Sequence, residues 1–449
     1  MNELAVVICN FNKKSFVLDC IESVFRSDFK DLDLIVVDNA STDDSVEAIR
    51  ERFGDKLTLL VNEVNTGGSG GFNRGIQEVL DRGIHKYVML ADNDITVEAN
   101  TIDELKSYMD SHPETGVCGA TIFQMGNREI TQEMGANISF EGFTNNPLYH
   151  QVRKHELPPK LECDYVAFCA SIIRVDAIRK AGLIESDYFI YWDDMEFCWR
   201  TRKSGYKVSA ISSAIVYHHT SPPSNRTTFT EYYFFRNKTN CFARHLSDEE
   251  FALLPEIITK RIYRIMVCNK DNYALATTYM HALDDALNAV VGKAQDYKIF
   301  ELPKEKKWHN VVKGKSRILI EFSPDYTKIN LLLSQLREFC DAEITIATHG
   351  ANMANYCLGD TILVEKKHPD DHFDVTITVC HHVLDFHYTD FDFTEGRTLI
   401  IDSYGNSIVD KNDLLVYQYH EENYSVFRAM LYNYIKDKLR LLREDYLNR

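Results

Sequence analysis

At 449 residues the chain is long enough for two or three domains of ordinary size. Its 45% apolar and 26% charged residues belong to a protein with buried cores, which excludes the disordered and collagen-like classes. A formal net charge of −17 argues against a general nucleic-acid binder, whose affinity rests on a basic surface neutralising phosphates.

Eleven cysteines, odd in number and without a CxxC pair, argue against a disulfide framework and for reduced thiols in a cytosolic compartment. The first expected strand starts almost at the first residue, with no charged leader and apolar run ahead of it, so no secretory signal is expected. No apolar stretch approaches the roughly 20 residues that span a bilayer. Any membrane association is therefore expected to be peripheral.

From Leu4 to about Phe123, short apolar runs alternate with amphipathic stretches, the pattern of βαβ units and a mostly parallel sheet. The expected strands are Leu4–Cys9, Leu34–Val37, Leu57–Val61, Tyr87–Leu90 and Val117–Phe123. Ser15–Arg26 and Ser45–Phe53 carry helical periodicity, the second with Ser41 and Thr42 as candidate N-caps. Ligands of such sheets gather outside the carboxyl ends of the strands. That points to Asn10–Asn12, Asp38–Asn39, Asn65–Gly75 and Asp92–Asp94.

Residues 124–165 show no periodicity and are expected to be irregular or to form a small antiparallel piece. Tyr188–Trp192 then leads into a helix from Asp193 to Ser204, and a strand Ala214–Tyr217 ends in His218 and His219. Thr230–His245 reads as an aromatic-rich helix, with further helix to about Val291. After the stretch Pro303–Lys315, βα alternation restarts with Arg317–Phe322, Glu343–Ala347, Asp374–Val379, Thr398–Asp402 and Leu414–Tyr419. Ser425–Tyr446 is an amphipathic helix with Phe427, Leu431, Tyr434 and Ile435 on one side. No fixed-period repeat joins these blocks. The expected organisation is a catalytic α/β domain over 1–245, a helical connection over 246–312 and a second, smaller α/β domain over 313–449.

Four motifs carry chemistry. In Asp92-Asn93-Asp94 the two acids are two apart, so on extended backbone they share one side and suit a hard divalent cation; a polar turn that starts the next helix is the alternative. In Trp192-Asp193-Asp194, Asp193 is a candidate helix cap and Asp194 a candidate general base. Trp192 either offers an apolar face to a sugar ring or packs in the core. His218 is a third metal ligand or a satisfied core histidine. Asn65 to Gly75 fails both the GxGxxG and the P-loop patterns. Its clustered glycines permit close backbone approach and Arg74 can pair with a diphosphate, unless the segment is simply a flexible turn.

The order Cys9-Asn10-Phe11-Asn12, Val36-Val37-Asp38-Asn39-Ala40-Ser41-Thr42-Asp43, the glycine-rich segment, Asp92-Asn93-Asp94, Trp192-Asp193-Asp194 and His218 resembles family 2 glycosyltransferases of the GT-A fold over about residues 1–245. Bacterial galactofuranosyltransferases are most similar, with rhamnosyltransferases next. The resemblance implies donor-binding roles for Asn10, Asn12, Asp38 (the nucleotide base), Asn65, Arg74 (the diphosphate) and Asn93. It implies manganese or magnesium on Asp92, Asp94 and His218, catalysis by Asp194 with Asp193 beside it, and acceptor contact by Trp192. Asn93 and Tyr217 depart from the galactofuranosyltransferase pattern, at positions that bear on the donor sugar.

The expected partners are a nucleotide-sugar donor, UDP-linked by preference, and a polysaccharide or lipid-linked glycan acceptor, with homo-oligomerisation left open. A retaining reaction would need a nucleophile on the opposite sugar face, for which the sequence offers no candidate. The rivals are a non-catalytic nucleotide-sugar-binding scaffold and a nucleotidyltransferase. Lys436, Lys438, Arg440 and Arg443 concentrate in the last helix, which either meets an anionic membrane surface or packs on the protein.

Overall fold

The computed structural model describes residues 2–219, 227–326, 328–353, 356, 358–368, 370–388 and 391–448. Packing divides the chain into two units that are each discontinuous in sequence. The first comprises Met1–Ile257, His281–Ile299 and Asp437–Arg449, the second Ile258–Met280 and Phe300–Lys436.

The first unit is built on a ten-stranded sheet. Its strands are β1 (Leu4–Asn10), β2 (Leu32–Asp38), β3 (Thr58–Val61), β4 (Tyr87–Asp92), β5 (Ile95–Val97), β6 (Thr115–Gln124), β7 (Asn127–Glu133), β10 (Lys160–Glu162), β11 (Ala170–Arg174) and β12 (Lys207–His218), while β8 (Ala136–Ser139) and β9 (Thr144–Pro147) form a separate hairpin. The main order is β10-β12-β6-β11-β4-β1-β2-β3. Along it β3, β2, β1, β4, β6 and β12 run one way, and β11 and β10 run against them. The expected mostly parallel α/β sheet is therefore present. β11, which periodicity missed, is the reversed strand wedged into its middle.

Strands β1 and β4 are buried almost throughout because helices cover both faces, which is why they read as unbroken apolar runs. Helices α1 (Lys14–Arg26), α2 (Ser45–Phe53), α3 (Gly67–Arg82), α4 (Thr101–Ser111), α5 (Val175–Ala181) and α6 (Asp193–Lys203) follow the strands. α1 buries Val17, Cys20, Ile21 and Val24, one stripe at helical spacing. Ser41 and Thr42 do not cap α2: Asp44 holds that position without a side-chain bond, and Asp43 accepts the Ser45 N–H instead (3.1 Å). The aromatic helix α7 (Phe229–His245) is buried along most of its length, including Arg236, Asn237 and Lys238. α8 (Asp248–Cys268) and α9 (Tyr273–Leu287) complete the helical run.

The glycine-rich segment is neither an open loop nor a flexible turn. Gly67 starts α3, and the glycines let this helix lie against β1. A Cβ on Gly75 would stand 2.3 Å from Val7 Cγ1, and one on Gly71 would stand 2.2 Å from Cys9 Sγ.

The second unit carries a six-stranded sheet of order β15-β14-β13-β16-β17-β18, from β13 (Arg317–Glu321), β14 (Glu343–Ala347), β15 (Ile362–Val364), β16 (Val375–Cys380), β17 (Thr398–Asp402) and β18 (Ser407–Ile408). All pairs are parallel except β17 with β18. α10 (His309–Val312) precedes the sheet and α11 (Ile329–Phe339) buries Ile329, Leu332, Leu333 and Leu336 against it. The expected strand Leu414–Tyr419 is helical, α12 (Lys411–Gln418). Asp410 caps it by accepting the Asp413 N–H at 2.8 Å, a start signal that outweighs the short apolar run.

The last helix, α13, spans His420–Leu447. Within the first unit its Arg443 donates to the Leu246 carbonyl (2.9 Å) and pairs with Asp248, and Lys438 donates to Asn288 (2.6 Å). These two basic residues serve packing. No helix among the described residues is long and apolar enough to cross a membrane.

The helix–sheet contact at Gly75 can be tested. Gly75→Ala should lower the urea midpoint at unchanged m-value, by about 1–3 kcal/mol of overpacking. Gly68→Ala, which meets nothing within 4 Å in the same helix, should be neutral or stabilising by up to ~1 kcal/mol.

Candidate active site

The carboxyl ends of β1, β2 and β4 carry a connected polar network. The Asn10 amide donates to Asp38 (2.9 Å) and accepts from Asn93 (2.7 Å). Asp38 is wholly buried and also accepts the Ser41 N–H (2.9 Å). Each of its oxygens accepts one of these bonds, which tie the β1 and β2 loops together at the position where the resemblance implies contact with a nucleotide base. Asn12, at φ 51°, accepts the N–H groups of Thr42 (2.7 Å) and Asp43 (3.3 Å). Asn65 accepts from Asn39 and from the Gly67 N–H, shaping the start of α3. Arg74 is exposed in the second turn of α3, and no contact joins it to this network among the described residues.

At the end of β4, Asp94 is nearly buried. Lys13 donates to one of its oxygens (2.5 Å) and His218 Nε2 lies 3.3 Å from the other. Burial disfavours the charged form of Asp94, but the bonds from His218 and Lys13 outweigh it and hold the carboxyl down at about 2. Among the described residues Asp92 has no such partner. Burial first, and then the charge of Asp94, push it up to about 7. His218 also has Gln132 Oε1 3.0 Å from Nδ1, which directs Nε2 to Asp94. Burial works against its cation, yet Asp94 and Asp92 raise its pKa above the ordinary value.

The expected metal trio is thus only partly assembled. His218 and Asp94 touch, Asp92 is coupled to them through charge, and Lys13 takes the second oxygen of Asp94. Among the described residues no three His, Cys, Asp or Glu side chains converge as a metal ion would require. In kind the donor set still fits a hard divalent cation. It offers two carboxylates and an imidazole nitrogen, and a bound cation would favour the ionised form that burial and Asp94 disfavour at Asp92.

The second acid pair sits on a constrained turn. Phe189, Tyr191 and Trp192 all have positive φ (67°, 64° and 68°), a conformation costing non-glycine residues of order 1–3 kcal/mol each. The buried helix α7 holds that turn. Asn237 Nδ2 lies within 2.9 Å of the carbonyls of Tyr188, Ile190 and Tyr191, and Arg236 donates to Tyr188 (3.1 Å) and Gly292 (2.8 Å). The turn ends at the first residues of α6. There Asp193 accepts from Ser69 (2.8 Å) and Asp194 accepts the Met195 N–H (2.7 Å). Burial, and then Asp193, raise Asp194 well above the usual carboxylate range; burial also raises Asp193. Further along α6, buried Glu196 takes two bonds from Arg200 (2.7 Å each) and lies 2.9 Å from His245, which anchors the helix to α7.

Trp192 is fully buried, with its ring edge-on to Phe234 and Phe242 at 5.8 and 5.4 Å. The expected acceptor contact is corrected, since a side chain with no exposed surface cannot stack on a sugar; the core alternative holds. Some site residues escaped the sequence. Lys13, Gln132 and Asn237 bond to the motif segments, as do Asn39 and Ser69, which lie inside segments the sequence had already singled out. Glu133, at the end of β7, is a carboxyl that burial pushes to about 7, and its charge reaches both His218 and Asp194. A helix start signal could have marked Ser69. Glu133 and Gln132 lie in the stretch without periodicity.

Comparison with known proteins finds a likeness over part of the chain, which takes in the strand-end network and Asp92–Asp94 but not Asp193, Asp194 or His218. Residues 5–182 match the family described as glycosyl transferase family 2. The low-salt glycan biosynthesis hexosyltransferase Agl10 of Haloferax volcanii is 20% identical over 302 residues, which is 64% of this chain and 92% of that protein. Galactofuranosyltransferase GlfT2 of Mycolicibacterium smegmatis is 21% identical over 246 residues, 51% of this chain and 38% of the relative. Among solved structures, Staphylococcus aureus TarS 1–349 in complex with UDP-GlcNAc aligns at TM-score 0.43 and 17% identity, covering 64% of this chain and 81% of that one.

Two expectations test the scaffold of the site. Asn237→Leu should speed amide hydrogen exchange across residues 188–195 and destabilise the protein by about 1–3 kcal/mol, because buried carbonyls lose their donor. Glu196, held near 2 against an ordinary 4.5, contributes stability that is complete above pH 4.5 and lost as the pH falls toward 2. Glu196→Gln should therefore flatten the acid limb of the melting temperature against pH, read by calorimetry.

Proposed function

We propose, from a chain whose residues 5–182 form a domain of glycosyl transferase family 2, that it transfers a sugar from a nucleoside diphosphate donor to a hydroxyl of a glycan acceptor with inversion at the anomeric carbon. The observation that carries this reading is Asp194. Its side chain is half-buried, its pKa is raised well above the ordinary range, and it is fixed at the start of α6 by a clamped turn. A base must be positioned and must hold a proton more readily than an ordinary carboxylate, and this environment favours both. Asp194 takes the acceptor proton as the acceptor oxygen attacks. Asp193, bonded to Ser69, holds the junction of α3 and α6 in register.

Asp92, Asp94 and His218 are assigned to a divalent ion, manganese or magnesium, which when bound offsets the charge on the departing nucleoside diphosphate. Lys13 contributes positive charge at the same place and competes for Asp94. Asn10, Asn12, Asn65 and Asn93 shape the donor loops, and Arg74 is assigned to the diphosphate. Galactofuranose on UDP is the favoured donor and rhamnose the alternative. The motif order in residues 1–245 supports that preference, together with the relation to a protein named as a galactofuranosyltransferase. Lipid-linked or polysaccharide acceptors and a peripheral membrane location belong to the same proposal.

A panel of nucleotide sugars and short glycan acceptors tests the reaction. Release of nucleoside diphosphate with product of added sugar mass is expected; pyrophosphate release would mean a nucleotidyltransferase. Asp194→Asn should cut transfer by roughly 10²–10⁴-fold, the usual worth of a general base. Donor binding by calorimetry should stay close to the parent's, and transfer at the parent rate would remove Asp194 from the role. Excess chelator should abolish donor-dependent activity, and full activity in chelator would refute the metal assignment.

A further inference from the structure

The sheet of the second unit has a reversal in strand order. From β13 the chain builds outward to β14 and β15 on one side and then returns to place β16 and β17 on the other. The loops leaving β13 and β16 therefore diverge to opposite faces, and parallel sheets bind ligands in the crevice this leaves at the carboxyl edge. A cleft of ≈ 510 Å³ lies there, within the usual size range of small-molecule sites.

Its chemistry narrows the ligand. Glu321 and Asp325 contribute carboxylates, His349, His381 and His382 contribute imidazoles, and Phe386 adds a partly buried aromatic surface. No lysine or arginine is among its described lining residues. Arg264, of the same unit, is paired with Asp385 on the rim (3.2 Å). The sequence over 322–328, after β13, contains no glycine, so it lacks the glycine-rich pattern of a phosphate-binding loop. A cleft with carboxylates and no free lysine or arginine among the described residues disfavours anions.

The polar groups are instead arranged as hydrogen-bond donors and acceptors. His349 Nε2 lies 2.6 Å from Glu321 Oε2, and His382 Nδ1 accepts the Leu384 N–H at 3.1 Å. Burial, and then Arg264, hold His382 down at about 4, so it is neutral at physiological pH with Nε2–H as its donor. His381 lies 3.4 Å from both the Asp325 carbonyl and the Tyr404 hydroxyl. Carboxylate acceptors interleaved with imidazole donors suit vicinal hydroxyl groups, and an aromatic side chain suits the apolar face of a ring.

We propose that this cleft is a second ligand site, which binds a neutral saccharide unit through Glu321, His349, His381 and His382. It is separate from the Asp194 site and does not depend on transfer taking place there.

Saturation-transfer NMR on the full chain tests this with methyl glycosides of hexoses and N-acetylhexosamines, and with inorganic phosphate as a separate probe. Saccharide signals are expected. They should survive Asp194→Asn and weaken about tenfold or more in the Glu321→Gln/His349→Ala variant, the loss expected from hydrogen bonds to charged groups. His381→Ala serves if the double variant melts early. The proposal is overturned if no saccharide binds, if binding is unchanged in these variants, or if phosphate rather than saccharide binds in a manner the variants abolish.

Discussion

Like charges buried together are the constraint on which the first unit depends. Asp92, Asp94, Asp193, Asp194 and Glu133 are within electrostatic reach of one another at one edge of the sheet, and each is penalised by burial. The fold resolves the conflict unequally. Asp94 receives Lys13 and His218 and stays ionised, whereas Asp92 and Asp194 are left with raised pKa values. Environments that push neighbouring carboxyls apart in pKa separate the acid that holds charge from the acid that moves a proton. The division of labour in the proposed reaction follows this inequality.

The scaffold around the acids is built to tolerate strain. Three non-glycine residues with positive φ precede α6, and the amide of Asn237 reaches the carbonyls on either side of the bend. Gly67 makes the other half possible, since a Cβ there would stand 2.0 Å from the Phe189 carbonyl oxygen. The glycine-rich start of α3 and the acidic start of α6 thus meet because one has no side chain and the other is clamped from behind. Glu196, Arg200 and His245 extend the same anchoring along α6.

The parallel strands were legible because double coverage by helices leaves an unbroken apolar run, and the acid motifs because strand ends are where such sheets gather polar groups. β11 was not legible. Its five buried residues are too few for a period, and its reversal depends on neighbours far away in sequence. Trp192 shows a different limit, since a tryptophan beside acids reads alike whether it faces ligand or core. Only the packing of α7 decides it. Lys13 and Asn237 belong to common residue types in unremarkable local sequence, and their importance comes from long-range contacts with Asp94 and the 188–191 backbone. The strand expected at Leu414–Tyr419 failed because a capped helix and a short buried strand share the same apolar run.

The discontinuity of the first unit has a consequence for biosynthesis. Its sheet is complete by His218, yet Asp437–Arg449 belongs to the same packed body and contributes the buried side chains Leu439 and Leu442. At ~5–20 residues per second a ribosome needs on the order of ten seconds or more to pass from Ile257 to Asp437. Throughout that interval the surface awaiting the last helix stays uncovered. The first unit of such a chain can close only after nearly the whole chain has been made, and no single cut can release it whole.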